Sequence, residues 1–227
     1  MGGASRRTVR PSRLGAVKHT PHLLLDGAWS GESLPLSEGQ RHHLGRVLRL
    51  TEGATVTYTD GEGNFGTGTL AEGVVIRGQE RTVPRPSNLE VAVAPPASRD
   101  RQRFLVEKLA ELGVARLRWI RTVHGQERLA PLPKLSSWVG AAVEQSRGAW
   151  AMKVDADPCG WDDLTPPVVV CALGGGARVG NPATVVVGPE GGFAPGEIPA
   201  AATLWDLGPT VLRVETAALV AVARLLA

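Results

Sequence analysis

The chain has 227 residues, of which 43% are hydrophobic and 21% charged, and its formal net charge is +3. This composition is typical of a soluble globular protein with one large domain or two small ones, and its basic balance permits a polyanionic partner. The apolar runs are too short to cross a bilayer, and the basic N-terminus lacks the apolar region of a secretory signal. We therefore expect a cytoplasmic protein without a membrane partner, and a flexible arm over residues 1–19.

Residues 20–84 are predicted to form a small β-barrel. Short runs in which apolar and polar residues alternate, or which contain β-branched residues, are separated by Asp-Gly and Glu-Gly turns. Strands are expected around 56–58, 66–70, 74–76 and 81–83. The segment 61–66, GEGNFG, matches a dinucleotide-binding fingerprint literally. That fingerprint requires a following helix, whereas the next residues look like a strand, so a glycine-rich hairpin is favoured.

One helix is predicted inside this N-terminal region. Ser37 is a suitable N-cap, and His43, Val47 and Leu50 follow at helical spacing. Three arginines lie in the same segment, namely Arg41, Arg46 and Arg49. They indicate either a solvated helix face or a patch that contacts phosphates, and spacing alone favours the solvated face.

From residue 88 onward, strands alternate with helices, which predicts an α/β domain with a mostly parallel sheet over 88–227. Ser98 is expected to cap a helix with Leu105, Leu109 and Leu112 on its apolar face and Gly113 at its end. Three further helices are predicted. The first has the apolar face Leu135, Trp138, Val139, Ala142 and Val143, the second is a short helix over 194–202, and the last has the apolar face Leu219, Val222, Ala223 and Leu226.

Strands are predicted at 88–95, 115–122, 167–173, 184–187 and 203–207. The runs at 167–173 and 184–187 are continuously apolar, as expected for strands that are covered on both faces. The two cysteines, Cys159 and Cys171, suggest neither a disulfide framework nor a metal site, and Cys171 is expected in the core. Arg147 lies near the end of the second helix. Its positive charge could interact with the negative C-terminal end of the helix dipole, or it could contact a substrate phosphate.

Two strand exits share the same Gly-Pro sequence, Gly188-Pro189 and Gly208-Pro209. Glycine allows a ligand to approach the main chain, and proline cannot continue a central strand. Two such loops at the carboxyl edge of a parallel sheet predict a crevice with exposed backbone amides, suited to a flat polar ring such as adenine. Ordinary turns are the alternative, which the repetition disfavours.

These motifs, VGPEGGF at 187–193 and LGPTVLRVETAALVAVA at 207–223, resemble the RsmE-type 16S rRNA uridine-N3 methyltransferases of the SPOUT superfamily. The segment 41–63 resembles the PUA-like barrel of that family, and 106–114 and 141–150 resemble its two mid-chain helices. The similarity extends from about Gly39 to the C-terminus.

The resemblance implies a trefoil-knot domain, a homodimer, and S-adenosylmethionine as the cofactor. It also implies 16S rRNA, or the small ribosomal subunit, as the substrate, with methylation of uridine N3 in the decoding region. By position, the cofactor-binding residues would be Ala172, Leu173, Gly174, Gly188, Pro189, Glu190, Gly191, Gly192, Leu207, Gly208, Val211 and Leu212.

The chain departs from the family pattern at several positions. Val214 replaces a threonine, a glycine-rich ALGGGA replaces a His-Glu-Glu-like stretch in the first loop, and Ser137 replaces an arginine. The hydroxyl that Val214 lacks is worth about 1 kcal/mol net if it made a hydrogen bond. The N-terminal residues 1–20 have no counterpart in the family.

Two candidate catalytic residues, Arg213 and Glu215, lie beside the second Gly-Pro loop. In one hypothesis Arg213 stabilises the uracil anion and Glu215 orients the base or helps to move the N3 proton. In the other, Glu215 caps the last helix and Arg213 is structural. The RNA would be positioned by Arg41, Arg46 and Arg49, with a contribution from Arg147.

Two other functions stay open at this point. The same fold and cofactor could serve another target, such as a ribose 2′-hydroxyl. Alternatively, the chain could be a non-catalytic RNA-binding or ribosome-assembly protein, since the glycine-rich first loop and Val214 both depart from the family pattern.

Overall fold

The computed structural model describes residues 20–25, 27, 29–126, 128–177 and 179–226. Within them the chain forms a five-stranded N-terminal sheet and a six-stranded parallel sheet that is packed against three helices. The arm predicted over residues 1–19 lies outside the described residues. None of the helices in the described part of the chain is both long and apolar enough to span a membrane.

The N-terminal sheet has the strand order β1-β3-β4-β5-β2. Its strands are β1 (His22–Leu24), β2 (Ser33–Pro35), β3 (Thr55–Thr59), β4 (Asn64–Ala71) and β5 (Val74–Thr82). Alternation is confirmed in β3, where Val56 and Tyr58 are fully buried. The two strands expected in 74–83 form one continuous strand, β5, and the short strands β1 and β2 were not predicted individually.

The segment 61–66 is a hairpin connection, as predicted. Thr59 pairs with Phe65 across β3 and β4. Asp60 holds the turn, because its carboxylate accepts hydrogen bonds from the backbone N–H groups of Glu62 at 2.7 Å and Asn64 at 3.1 Å.

The predicted N-terminal helix begins where expected but has a different buried side. Ser37 caps α1 (Glu38–His42), and its hydroxyl accepts a hydrogen bond from Gln40 N–H at 3.2 Å. The chain then widens into a π-helical turn over His43–Val47. This change of winding moves Leu44 into the core, whereas His43 is exposed and Val47 is 59% exposed, so the predicted apolar stripe was wrong.

The second sheet is parallel throughout, with the strand order β11-β9-β10-β6-β7-β8. Its strands are β6 (Glu90–Val93), β7 (Arg116–Ile120), β8 (Lys153–Cys159), β9 (Val168–Gly176), β10 (Thr184–Val187) and β11 (Thr203–Trp205). The edge strand β8 was not predicted, because its sequence contains polar residues and a proline and lacks a continuous apolar run.

Helices α2 (Arg99–Glu111), α3 (Leu132–Ser146) and α4 (Val214–Leu226) form one core with the parallel sheet. Every predicted core residue of α3 is buried. The opposite face of the sheet is covered by the 3₁₀ turn Trp161–Asp163 and by the segment 193–202. The central strand β10 is therefore buried along its whole length, as its continuous apolar sequence predicted.

Several residues that were predicted on the apolar faces of α2 and α4 are not buried. Leu112 on α2 is 39% exposed, and Val106 and Gln102 take the buried positions. On α4, Ala223 and Leu226 are exposed and Leu219 is only half-buried. The buried face of α4 is rotated toward Val214, Ala217, Ala218, Ala221 and Val222.

The segment 194–202 forms turns instead of the predicted helix. Pro195 and Pro199 remove two N–H donors, and Gly196 has a φ of +77°. The Glu197 carboxylate fixes the turn by accepting hydrogen bonds from Ala194 N–H at 2.7 Å and from Val123 N–H at 2.7 Å.

Candidate functional site

A cavity of about 500 Å³ opens at the carboxyl edge of the parallel sheet. Three segments surround it: the end of β9, the Gly188-Pro189 loop after β10, and the Gly208-Pro209 loop after β11. We call it the sheet-edge cavity. Its lining includes Cys171, Val187, Phe193, Ile198, Asp206, Thr210, Val214 and Ala217 in addition to the predicted residues described next.

The two Gly-Pro corners lie side by side, as the repetition of their sequence predicted. All of the predicted cofactor residues except Gly174 line the cavity. Gly174 is displaced because 172–176 is the end of strand β9 and not the loop that we expected. At that end β9 pairs irregularly with β11, since the register shifts between Leu204 and Trp205.

Asp206 joins two of the three segments. Its carboxylate accepts hydrogen bonds from Gly208 N–H at 2.8 Å and from Gly174 N–H at 3.0 Å. These two backbone bonds hold the pKa of Asp206 below its usual value. Gly174 thus does not line the cavity, but its N–H group helps to fix the Asp206 carboxylate, which does.

Gly188 is required at the first corner because the Phe193 ring packs directly on its backbone. A Cβ atom at Gly188 would lie 2.6 Å from the ring. Phe193 also contacts Trp161, with the two ring centroids 5.6 Å apart. A side chain at position 188 would therefore displace one wall of the cavity.

Arg101 links the first corner to the start of α4. Its Nε donates to Glu215 Oε1 at 3.0 Å and its Nη2 to Glu215 Oε2 at 2.6 Å, while Nη1 donates to Glu190 Oε1. Arg101 lies in the first turn of α2, where Ser98 caps its backbone N–H. A cation is unfavourable at the positive end of a helix, and the two carboxylates offset this cost.

Glu215 is held as a carboxylate. Burial alone would raise its pKa, but the hydrogen bonds from Arg101 and the nearby charge of Arg213 place the pKa below its usual value. Both carboxylate oxygens already accept from the Arg101 guanidinium. The geometry thus favours an orienting role for Glu215 over proton acceptance. Glu215 also lies in the first turn of α4, where its own backbone N–H contributes to the lower pKa, so the alternative of a helix cap stays a prediction.

Arg213 lies at the rim of the sheet-edge cavity. Its side chain is exposed, and its neighbours Leu212 and Val214 line the cavity. Its carbonyl accepts a hydrogen bond from Ala217 N–H at 2.8 Å in the first turn of α4. The side chain could therefore reach a molecule at the mouth of the cavity while the backbone stays fixed.

The loop after β7 closes over the first corner. The His124 ring donates through Nδ1 to the Gly192 carbonyl at 3.2 Å. The buried side chain of Gln102 anchors the far end of this loop, because it donates to the Pro96 and Arg128 carbonyls at 2.8 Å and accepts from Ala130 N–H at 3.0 Å.

The predicted RNA-contacting residues lie outside the cavity lining. Arg41, Arg46 and Arg49 are all exposed on or just after the helical segment that begins at Ser37. Arg49 has a left-handed backbone with a φ of 54°, and Arg147 has one of 58° as the C-cap of α3. The side chain of Arg147 is also exposed.

The sequence analysis missed three residues of the site. Arg101 was treated only as part of a helix. A positive charge in the first turn of a helix is unfavourable, and this could have drawn attention to it. Asp206 directly precedes the second Gly-Pro corner, and this position could have identified it. Cys171 packs against the core, as predicted, but its position in the cavity lining was missed. Burial raises the pKa of its thiol to about 12, so it stays protonated.

No group of three or more His, Cys, Asp or Glu side chains that could hold a metal ion occurs within the described ranges. The fold and the cavity together define a class of protein, namely an α/β protein with a cavity of small-molecule size at the carboxyl edge of a parallel sheet and with an added N-terminal β-sheet.

The chain belongs to the family described as the RNA methyltransferase domain, whose model matches residues 83–161 and 172–226. Residues 36–73 match the model described as the RNA methyltransferase PUA domain. These matches cover β3 and β4 of the N-terminal sheet, the parallel sheet except the start of β9, and the three segments around the cavity, and they confirm the predicted family and fold class.

Solved structures agree with this assignment. One is a ribosomal RNA small subunit methyltransferase E from Neisseria gonorrhoeae bound to S-adenosylmethionine, which is 25% identical with a TM-score of 0.76 and covers 91% of this chain and 96% of its own. Another, described as a predicted RNA methyltransferase from Thermotoga maritima, is 28% identical with a TM-score of 0.73 and covers 91% and 97%. No match was found among curated proteins.

Proposed function

We propose that the protein transfers a methyl group from S-adenosylmethionine to N3 of a uridine in 16S rRNA, in the decoding region of the small ribosomal subunit. The sheet-edge cavity carries this proposal, because three segments with exposed backbone meet there. Membership of the RNA methyltransferase family supports an RNA substrate. The gonococcal protein with the same fold was solved with S-adenosylmethionine bound.

The cavity suits this cofactor in size and chemistry. Its volume of about 500 Å³ falls within the range of about 300–1,000 Å³ that is usual for small-molecule sites. Leu173, Val211 and Leu212 provide apolar contacts for a flat ring, and backbone groups of the two corners provide hydrogen bonds. Glu190 and Asp206 place carboxylates in the lining, which suits a ligand with a sulfonium and an ammonium group even though the first loop lacks an acid.

Alignment is the main task of the protein in this reaction. When bound in the cavity, S-adenosylmethionine supplies the electrophilic methyl group. Precise orientation of the two reactants contributes about 7–11 kcal/mol in well-organised systems. The uracil N3 must also lose its proton, which passes to solvent water because both Glu215 oxygens already accept from Arg101, and Arg213 at the rim would stabilise the resulting anion. Arg101 and Glu215 fix the backbone of the segment that carries Arg213.

The target uridine must be unpaired or flipped, because N3 lies on the Watson–Crick edge. We propose that residues 20–84 are an RNA-positioning domain and that 88–227 are the catalytic domain. In this arrangement Arg41, Arg46 and Arg49 contact phosphates, and Arg147 contributes from α3. Binding should therefore weaken as salt concentration rises. A homodimer and a cytoplasmic location complete the proposal.

The decisive experiment uses small ribosomal subunits from a strain that lacks this gene. They are incubated with the protein and methyl-labelled S-adenosylmethionine, and the modified nucleosides are identified by mass spectrometry. Labelled N3-methyluridine is the expected product. Label on a ribose 2′-hydroxyl would favour the other target, and absence of both label and calorimetric binding of the cofactor would favour a non-catalytic protein.

A further inference from the structure

Two arginines lie over aromatic rings along the junction between the N-terminal sheet and the C-terminal end of α3, and a buried histidine packs behind one of the rings. The His22 ring stacks on the Phe65 ring, with their centroids 5.2 Å apart. The Arg81 guanidinium lies over the same Phe65 ring, 5.1 Å from its centroid. Further along, the Arg85 guanidinium lies over the Trp150 ring, 4.1 Å from its centroid.

The backbone fixes these two stacks relative to each other. Phe65 and Arg81 are cross-strand partners in β4 and β5. Gly63 N–H donates to the Ala149 carbonyl at 2.9 Å, and the Trp150 indole N–H donates to the Val83 carbonyl at 2.8 Å. We call the set the junction strip, and it consists of His22, Phe65, Arg81, Arg85 and Trp150.

The charges of the two strip arginines are not neutralised locally. Neither Arg81 nor Arg85 has a carboxylate partner within the part of the chain that the structure describes, whereas Arg77 in the same strand is paired with Glu80 at 2.7 Å. Glu62 is one acidic residue at the edge of the strip, next to Trp150. Stacked arginines without ion pairs keep their charge available for an anionic partner.

A second, smaller cavity of about 280 Å³ lies at the Trp150 end of the strip. Its lining includes Arg85, Trp150, Ser146 and Gly113, and also Glu111, whose carboxylate accepts a hydrogen bond from Lys108 Nζ at 2.6 Å. This volume is just below the usual range for drug-sized ligands, which suits a small flat group such as a single nucleobase. Arg85 lines this cavity and Arg81 does not. A cavity for a base beside a stacked guanidinium is an arrangement that proteins use for single-stranded nucleic acid.

We infer that the junction strip binds single-stranded RNA, with bases stacked on the Arg85–Trp150 and Arg81–Phe65 pairs and phosphates held by the two guanidinium groups. The inference rests on the proposed function and adds to it a binding surface separate from Arg41, Arg46 and Arg49. It predicts a single-stranded RNA segment at the amino edge of the parallel sheet, since Arg85 and Trp150 precede β6 and β8, whereas the sheet-edge cavity lies at the carboxyl edge.

The test is fluorescence anisotropy with a labelled twelve-nucleotide oligouridylate and the full chain. Arg81→Lys/Arg85→Lys keeps the charge but removes the planar groups, and it should weaken binding by about tenfold without changing the salt dependence. Arg81→Ala/Arg85→Ala should weaken binding further and reduce the slope of log affinity against log salt by about 1.4, which is about 0.7 for each lost phosphate contact. The control Arg103→Ala/Lys134→Ala removes two exposed cations outside the strip and should have little effect.

Three results would overturn the inference: wild-type affinity in the lysine pair, equal losses in the alanine pair and the control, or equal affinity for the oligouridylate and a duplex of the same length. Thermal unfolding shows whether each variant is folded. If the alanine double variant does not fold, the lysine double variant still tests the inference. Calorimetry with S-adenosylmethionine separates this inference from the proposed function, since the strip variants should bind the cofactor as the wild type does.

Discussion

Arg101 is predicted to hold the first Gly-Pro corner and the start of α4 in one arrangement, and Arg101→Ala tests this. The side chains of Arg101 and Glu215 are 24% and 11% exposed, whereas that of Glu190 is 62% exposed. Breaking a fully buried ion pair costs about 3–5 kcal/mol, and exposed pairs are worth about 0–1 kcal/mol. We therefore expect the substitution to reduce the free energy of unfolding by about 3 kcal/mol, chiefly through the Glu215 contact.

For a chain of this length, a loss of that size lowers the melting temperature by about 6–12 °C. Urea unfolding and thermal unfolding, both followed by circular dichroism at neutral pH, measure the two quantities. Arg103→Ala is a matched control, because Arg103 lies on the same helix but is 58% exposed in its pair with Glu107. It should cost only about 0.3–0.5 kcal/mol.

A second substitution distinguishes loss of the ion pair from loss of packing. In Arg101→Ala the Glu215 carboxylate stays buried without its partner, and Glu215→Gln in that background removes the uncompensated charge. The double variant should therefore recover about 1–2 kcal/mol. Equal shifts for Arg101→Ala and Arg103→Ala, or no recovery in the double variant, would refute the reasoning.

Three further predictions concern catalysis, packing and pH. Arg213→Ala should nearly abolish methyl transfer, while calorimetry should still detect binding of S-adenosylmethionine. The control Arg224→Ala should leave methyl transfer unchanged. Turnover in Arg213→Ala would remove Arg213 from the mechanism. Gln102→Leu leaves two carbonyls and one N–H of the loop anchor unpaired and should cost about 3 kcal/mol in urea unfolding, whereas exposed Gln145→Leu should stay within about 0.5 kcal/mol. Since the pKa of Glu215 is lowered in the folded protein, the stability advantage of the wild type over Arg101→Ala should be complete above the usual value of 4.5 and shrink as pH falls through the lower folded value. A difference that does not change with pH would contradict this.

The strands and helices with strong periodic patterns could be predicted from the sequence. The core face of α3 and the fully buried strand β10 are examples, because their apolar residues match one period without interruption. The prediction failed where local chemistry changed the winding. The π-helical turn at His43–Val47 rotated the buried side, and two prolines prevented a helix in 194–202.

Most of the candidate site could also be predicted, since repeated Gly-Pro corners mark strand exits on one sheet edge. The links between these segments could not be predicted, because they join residues far apart in the chain. Arg101 contacts Glu215 across 114 positions, and Asp206 bonds Gly174 across 32. Such contacts depend on how the helices pack on the sheet, which no local pattern specifies.

The central claim is that the backbone of the two Gly-Pro corners forms the binding site for S-adenosylmethionine. Isothermal titration calorimetry with the wild type and Gly188→Val tests it most directly, because the new side chain would meet the Phe193 ring and displace one wall of the cavity. We predict one bound molecule per wild-type chain and at least about tenfold weaker binding to the folded variant, a loss of about 1.4 kcal/mol. No heat of binding to the wild type, or equal affinities for the two proteins, would contradict the account.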